Sequence, residues 1–126
     1  ELGARMGGDC ITTHLVPLST GIDMVKATIQ IALGEKSSVV PKFDKGAAIR
    51  YLKETKGIIK NISGVDTVNE IDGIKQVVLT KTVGDVVGQI SSSVDRIGYV
   101  IAQANTVQAA IGLCENAIKQ ICITTE

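Results

Sequence analysis

Asn105-Thr106-Val107-Gln108-Ala109-Ala110-Ile111-Gly112-Leu113-Cys114-Glu115-Asn116-Ala117-Ile118-Lys119-Gln120-Ile121 is the stretch on which the reading of the fold turns. Val107, Ala110, Ile111, Cys114, Ala117, Ile118 and Ile121 recur at i, i+3, i+4 and i+7, the spacing of one face of an α-helix. Asn105 with Gln108 reads as the capping box that starts it. Gly112 lies off the stripe and should weaken the helix by about 1 kcal/mol. A helix with one apolar face needs a surface to bury it against, and the preceding residues read as strands.

Arg96 to Gln103, Ile74 to Thr82, Gly57 to Ile62 and Ala47 to Lys53 are short runs of strand pattern. Asp72-Gly73, Gly84-Asp85 and the polar Ser91-Ser92-Ser93 punctuate them. Gly84-Asp85-Val86-Val87 lacks the lysine and the glycine spacing of a phosphate loop, so it reads as a turn. Gly64 to Glu70 suits a short helix or turn, and Cys122-Ile123-Thr124 a last edge strand. Upstream, a short helical turn is expected near Thr13. Thr20 with Asp23 then reads as a capping box opening a helix over residues 21–33, with Gly34 as its stop. Ile22, Val25, Ile29, Ala32 and Leu33 form its apolar face, widened by Met24 and Ile31. A helix, then several strands, then a helix predicts an α+β fold: an antiparallel β-sheet with helices packed on one face.

With 126 residues the chain suits one compact unit that buries roughly two-thirds of its unfolded surface. One Phe, two Tyr and no Trp leave the core to Ile, Val, Leu and Ala. Thirteen basic residues against thirteen acidic ones give no net charge, which argues against nucleic acid and anionic membranes as partners. The scarcity of aromatic residues argues the same way against base stacking. No apolar run reaches the about 18 residues of a membrane span. Cys10, Cys114 and Cys122 are odd in number and lack metal-ligand spacing, which suits a reducing cytoplasm.

The chemistry-bearing stretch is the opening, Glu1-Leu2-Gly3-Ala4-Arg5-Met6-Gly7-Gly8-Asp9. Its glycines let the backbone approach a ligand closely. A carboxylate beside a guanidinium can hold a divalent cation and an anion together, since Mg²⁺ takes one or two carboxylates plus phosphate oxygens. Arg adds a planar fork that matches phosphate or carboxylate.

Glu1-x-x-x-Arg5-x-Gly7-Gly8-Asp9, followed by the apolar run to Ser19-Thr20-Gly21-Ile22-Asp23 and a helix ending at Gly34, resembles the ATP-grasp superfamily. It is similar to the C-terminal end of the ATP-grasp domain in carboxylate–amine ligases of the L-amino acid ligase type. Ala47-Ala48-Ile49-Arg50-Tyr51-Leu52 and Asp95-Arg96-Ile97-Gly98-Tyr99-Val100-Ile101-Ala102 resemble the small domain that closes such ligases. The resemblance implies an enzyme that phosphorylates a carboxyl group with ATP and Mg²⁺, after which an amine attacks the acylphosphate to form an amide. It implies that residues 1–36 are the remnant of the catalytic domain, 37–46 a connector and 47–126 a small α+β C-terminal domain. Because the sequence starts inside the motif, it reads as a C-terminal fragment that is not catalytic alone and binds no cofactor by itself. Its partners would be the remainder of the enzyme and small-molecule carboxylate and amine substrates, with a homo-oligomer open.

Carried over residue by residue, Glu1 matches a metal-coordinating glutamate. The metal-binding Asn often found two residues later is Gly3 here, so a second ligand must come from upstream. Arg5 matches the arginine that neutralises the transferring phosphoryl group, and Gly8 a glycine whose N–H points at the reacting carboxyl group. Gly7, Asp9 and His14 are the substrate-side candidates. Asp9 could instead fix the glycine loop, and His14, the single histidine, could be a structural hydrogen-bonder. The competing reading is a noncatalytic α+β module that mediates domain or subunit contacts.

Overall fold

The computed structural model describes residues 3, 5–53 and 55–126. A π-helical turn, Ile11–Leu15, runs into α1 (Val16–Thr20), and α2 (Met24–Ala32) follows. The remaining elements are β1 (Gly46–Tyr51), β2 (Gly57–Ser63), α3 (Val65–Asn69), β3 (Ile74–Leu79), β4 (Val86–Val87), a 3₁₀ turn (Ser93–Asp95), β5 (Gly98–Ala104), α4 (Val107–Gln120) and β6 (Cys122–Thr125). The fold is α+β with antiparallel pairing throughout, and the strands divide between two sheets ordered β1-β5-β3 and β4-β2-β6.

β5 is the central strand of the first sheet, paired with β1 from Gly46↔Ala104 to Tyr51↔Tyr99 and with β3 on its other edge. Its middle residues Val100, Ile101 and Ala102 are fully buried, as a strand covered on both faces requires. Side chains alternate across a strand. Val100 and Ala102 join the core under α4, while Gln103, of the opposite parity, reaches the Leu18 carbonyl of α1. α4 brings Ala110, Cys114 and Ala117 onto β1 and β5, and the Cys114 thiol lies 3.5 Å from the carbonyl oxygens of Ala48 and Val100. Burial pushes that thiol up to about 11, in keeping with a core residue.

Several boundaries differ from the sequence reading. The first long helix starts at Met24 because Gly21, at φ 74°, ends α1 by donating to the Pro17 carbonyl. Thr20 belongs to that ending, its hydroxyl bonded back to Val16, and Asp23 is the true cap, accepting from the Lys26 amide at 2.9 Å. At α4 the cap is Thr106, which accepts from the Ala109 amide, and not Asn105. Val107, expected on the buried stripe, is half exposed. β5 starts at Gly98, so Arg96 precedes the strand. The expected apolar face of α2 is open: Ile29, Ile31 and Leu33 are exposed and only Ala27 is buried. Among the described residues no helix is long and apolar enough to cross a membrane.

Candidate functional site

The opening loop is built from the residues that follow it. Ile11 donates to the Gly8 carbonyl, and the Cys10 carbonyl accepts from both His14 and Leu15, closing the π-helical turn. Such turns occur frequently at functional sites. Thr12, the one buried polar side chain among the described residues, donates to the Gly7 carbonyl at 3.1 Å and so ties the glycine pair to the turn. Between them Asp9 (φ 49°) and Cys10 (φ 62°) take the left-handed conformation. Non-glycine residues there are uncommon, and such a conformation costs of order 1–3 kcal/mol and persists only where the surroundings impose it.

Arg5 is exposed, and one guanidinium nitrogen donates to the neighbouring Met6 carbonyl at 3.2 Å. Gly7 and Gly8 are exposed, and a Cβ on Gly8 would meet nothing within 4 Å, so its backbone faces open space. His14 is partly exposed, with Nδ1 2.7 Å from the Thr13 hydroxyl. Glu1 lies outside the described residues. Among the described residues no group of three or more His, Cys, Asp and Glu side chains could hold a metal ion.

Asp9 connects this loop to the C-terminal sheet. Its carboxylate accepts from the Arg96 guanidinium at 2.9 Å. The same guanidinium lies 3.9 Å over the Tyr51 ring, and Tyr51 meets Tyr99 edge to face with centroids 6.3 Å apart. Burial pushes the Tyr51 phenol up, with Arg96 opposing and Asp9 reinforcing the shift. A hydrogen bond to Cys10, and then burial, push Tyr99 up to about 12. Together these groups border a cavity of about 100 Å³ behind the loop. Sequence reasoning missed Arg96, Tyr51 and Tyr99 as partners of the opening motif. The available signal was slight: the chain's two tyrosines each lie in a strand pattern, with Arg50 next to Tyr51 and Arg96 three residues before Tyr99. Their register, Tyr51↔Tyr99, comes from the pairing of β1 with β5.

The family model for L-amino acid ligase C-terminal domain 2 matches residues 50–126, and the chain belongs to that family. Together with the structural neighbours, this match supports the resemblance to the C-terminal region of ATP-grasp ligases. The chain is similar to phosphoribosylglycinamide synthetase from Anaerococcus prevotii, with 25% identity and a TM-score of 0.82, over 97% of this chain and 32% of that one. It shares the fold of an L-amino acid ligase from Bacillus licheniformis at 18% identity and a TM-score of 0.79, over 98% of this chain and 31% of that one. It is also 28% identical to the uncharacterized protein y4rH of Sinorhizobium fredii over 122 residues, which is 96% of this chain and 25% of the relative. The chain thus spans about a quarter to a third of the length of these relatives.

Proposed function

We propose that the chain is the C-terminal part of a cytoplasmic ATP-dependent carboxylate–amine ligase that forms an amide through an acylphosphate. The observation that carries this reading is the open glycine loop beside an exposed Arg5, set at the edge of a domain from the L-amino acid ligase family. ATP with Mg²⁺ would supply the phosphoryl group. Arg5 and the loop amides fit the anionic end of that nucleotide, and Glu1, with ligands from the remainder of the enzyme, would hold the metal.

Within that site Arg5 neutralises charge on the transferring phosphoryl group, and Gly8 donates its N–H to an oxygen of the reacting carboxyl group. Phosphoryl transfer depends on positioning and charge stabilisation more than on covalent help, which suits this set. Preorganised donors of this kind each contribute roughly 10²–10³ in rate. Gly7 keeps the loop close to the substrate and His14 stands on the substrate side, while Asp9, bonded to Arg96, takes the loop-fixing role. The remainder of the enzyme covers α2, where Ile29 and the capping Leu33 are exposed on one side of the helix. The chain by itself is not catalytic.

The test is substrate-dependent ADP release by the full-length protein over a panel of carboxylates and amines. ADP is expected only when both are present. Hydroxylamine in place of the amine is expected to give one hydroxamate per ADP, because it captures the activated carboxyl group. Absence of ADP across the panel would refute the ligase assignment, and ADP without hydroxamate would refute the acylphosphate step.

A further inference from the structure

Asp9 and Cys10 are the only non-glycine residues with positive φ among the described residues, and they directly follow Gly8. A left-handed pair survives only where its surroundings over-determine it. Here the surroundings come from three places in the C-terminal region: Arg96 from the loop before β5, Tyr51 from the end of β1 and Tyr99 from β5. Arg96 is itself preset. The Asp95 carboxylate beside it collects the amides and hydroxyls of Ser91 and Ser92, and the Thr80 hydroxyl donates to the Arg96 carbonyl. Its side chain is 27% exposed, stacked on Tyr51 and bonded to Asp9.

We infer that Arg96, stacked on Tyr51, is a positioning residue for the reaction: by holding Asp9 in its left-handed conformation it aims the Gly7–Gly8 backbone at the substrate. This rests on the ligase reading above. It assigns the small domain a part in the chemistry, since a residue from the loop before β5 sets the geometry of a loop 87 residues away in sequence. The guanidinium suits this better than an ammonium, because a planar fork can bond a carboxylate in its plane while its face lies on an aromatic ring. Arg96 touches no reacting atom. It acts through Asp9.

Two measurements test the inference. In the 126-residue chain, hydrogen exchange is followed at the Ile11, His14 and Leu15 amides, which bond to Gly8 and Cys10. Arg96→Gln is expected to speed exchange there about 10-fold, with Arg96→Lys intermediate and α4 amides unchanged. Unchanged exchange at the three amides overturns the inference that Arg96 holds Asp9; faster exchange throughout α4 as well makes Arg96 a general stability residue and overturns it too. In the full-length enzyme, Arg96→Gln is expected to lower kcat about 10-fold or more with the KM for ATP unchanged, and Arg96→Lys to recover part of the loss. Equal kcat in an active enzyme overturns the positioning role alone. A wild-type enzyme that releases no ADP fails the ligase reading, and the positioning role falls with it, whatever the exchange shows.

Discussion

At Asp95 one carboxylate oxygen accepts from the amide and hydroxyl of Ser91 at 3.0 and 2.8 Å, and from those of Ser92 at 2.8 and 3.0 Å. Hydrogen bonds to the charged form favour it, so the two serines hold this carboxyl well below the usual range, at about 2. A carboxyl depressed in the folded state contributes stability above its unfolded value of roughly 3.9, and loses it as pH falls through the folded value. The turn from Ser91 to Arg96 is therefore expected to stay ordered at pH 4 and to loosen between about pH 4 and 2. Carboxyl carbon shifts of Asp95 followed by NMR should inflect near 2; an inflection near 4 would show that the serine bonds do not persist in solution. Residue chemistry of this kind was partly legible. Ser91-Ser92-Ser93 reads as a polar loop, but that Asp95 gathers its amides depends on a local turn that periodicity does not encode. The Arg96–Asp9 pair was less legible still, because it joins residues far apart in sequence and Arg96 reads as the first residue of a strand.

Among the elements, α4 and β1 approach closely, and two glycines there have opposite meanings. A Cβ on Gly46 would lie 2.1 Å from the Thr106 carbonyl carbon and oxygen, so the start of β1 and the cap of α4 touch through backbone. Gly46→Ala is expected to lower stability by about 1–3 kcal/mol, the usual range for overpacking, in urea unfolding. At Gly112, inside α4, a Cβ would meet nothing within 4 Å. Gly112→Ala is expected to raise stability by roughly 0.5–1 kcal/mol, since it removes the helix penalty of glycine without a clash. A destabilised Gly112→Ala variant, or an unaffected Gly46→Ala variant, would contradict this packing. α4 was the most legible element because its stripe obeys one period over many residues, and Ala110, Cys114 and Ala117 are indeed its buried line. Its cap misled because Asn105 and Thr106 are both good capping residues, and only the backbone path selects Thr106. α2 misled in a different way. Its apolar spacing marks a helix, but a helix pattern carries no information on what covers it, and within this chain Ile29, Ile31 and Leu33 stay exposed. The two-residue β4 is too short to leave a pattern at all.

In the molecule as a whole, the Asp9–Arg96 pair joins the opening loop to the C-terminal region, and the bond from Gln103 to the Leu18 carbonyl joins α1 to the β1-β5-β3 sheet. Lys42 and Lys45 donate backbone bonds to Thr20 and Ser19, which fastens the segment before β1 to α1. In the proposed ligase the C-terminal region would shape the Gly7–Gly8 loop, and Arg5 is the side chain through which that loop would act on charge. Arg5→Lys keeps the charge and loses the planar fork, so it is not a conservative change at such a site. An interaction that strengthens in the transition state lowers kcat when removed and leaves ground-state binding nearly intact. The most direct measurement is therefore steady-state ADP release by the full-length enzyme carrying Arg5→Lys, with saturating carboxylate and amine. A kcat reduced by about 10²-fold, with the KM for ATP changed less than about threefold, is the expected result. Wild-type turnover in the Arg5→Lys enzyme would contradict the account.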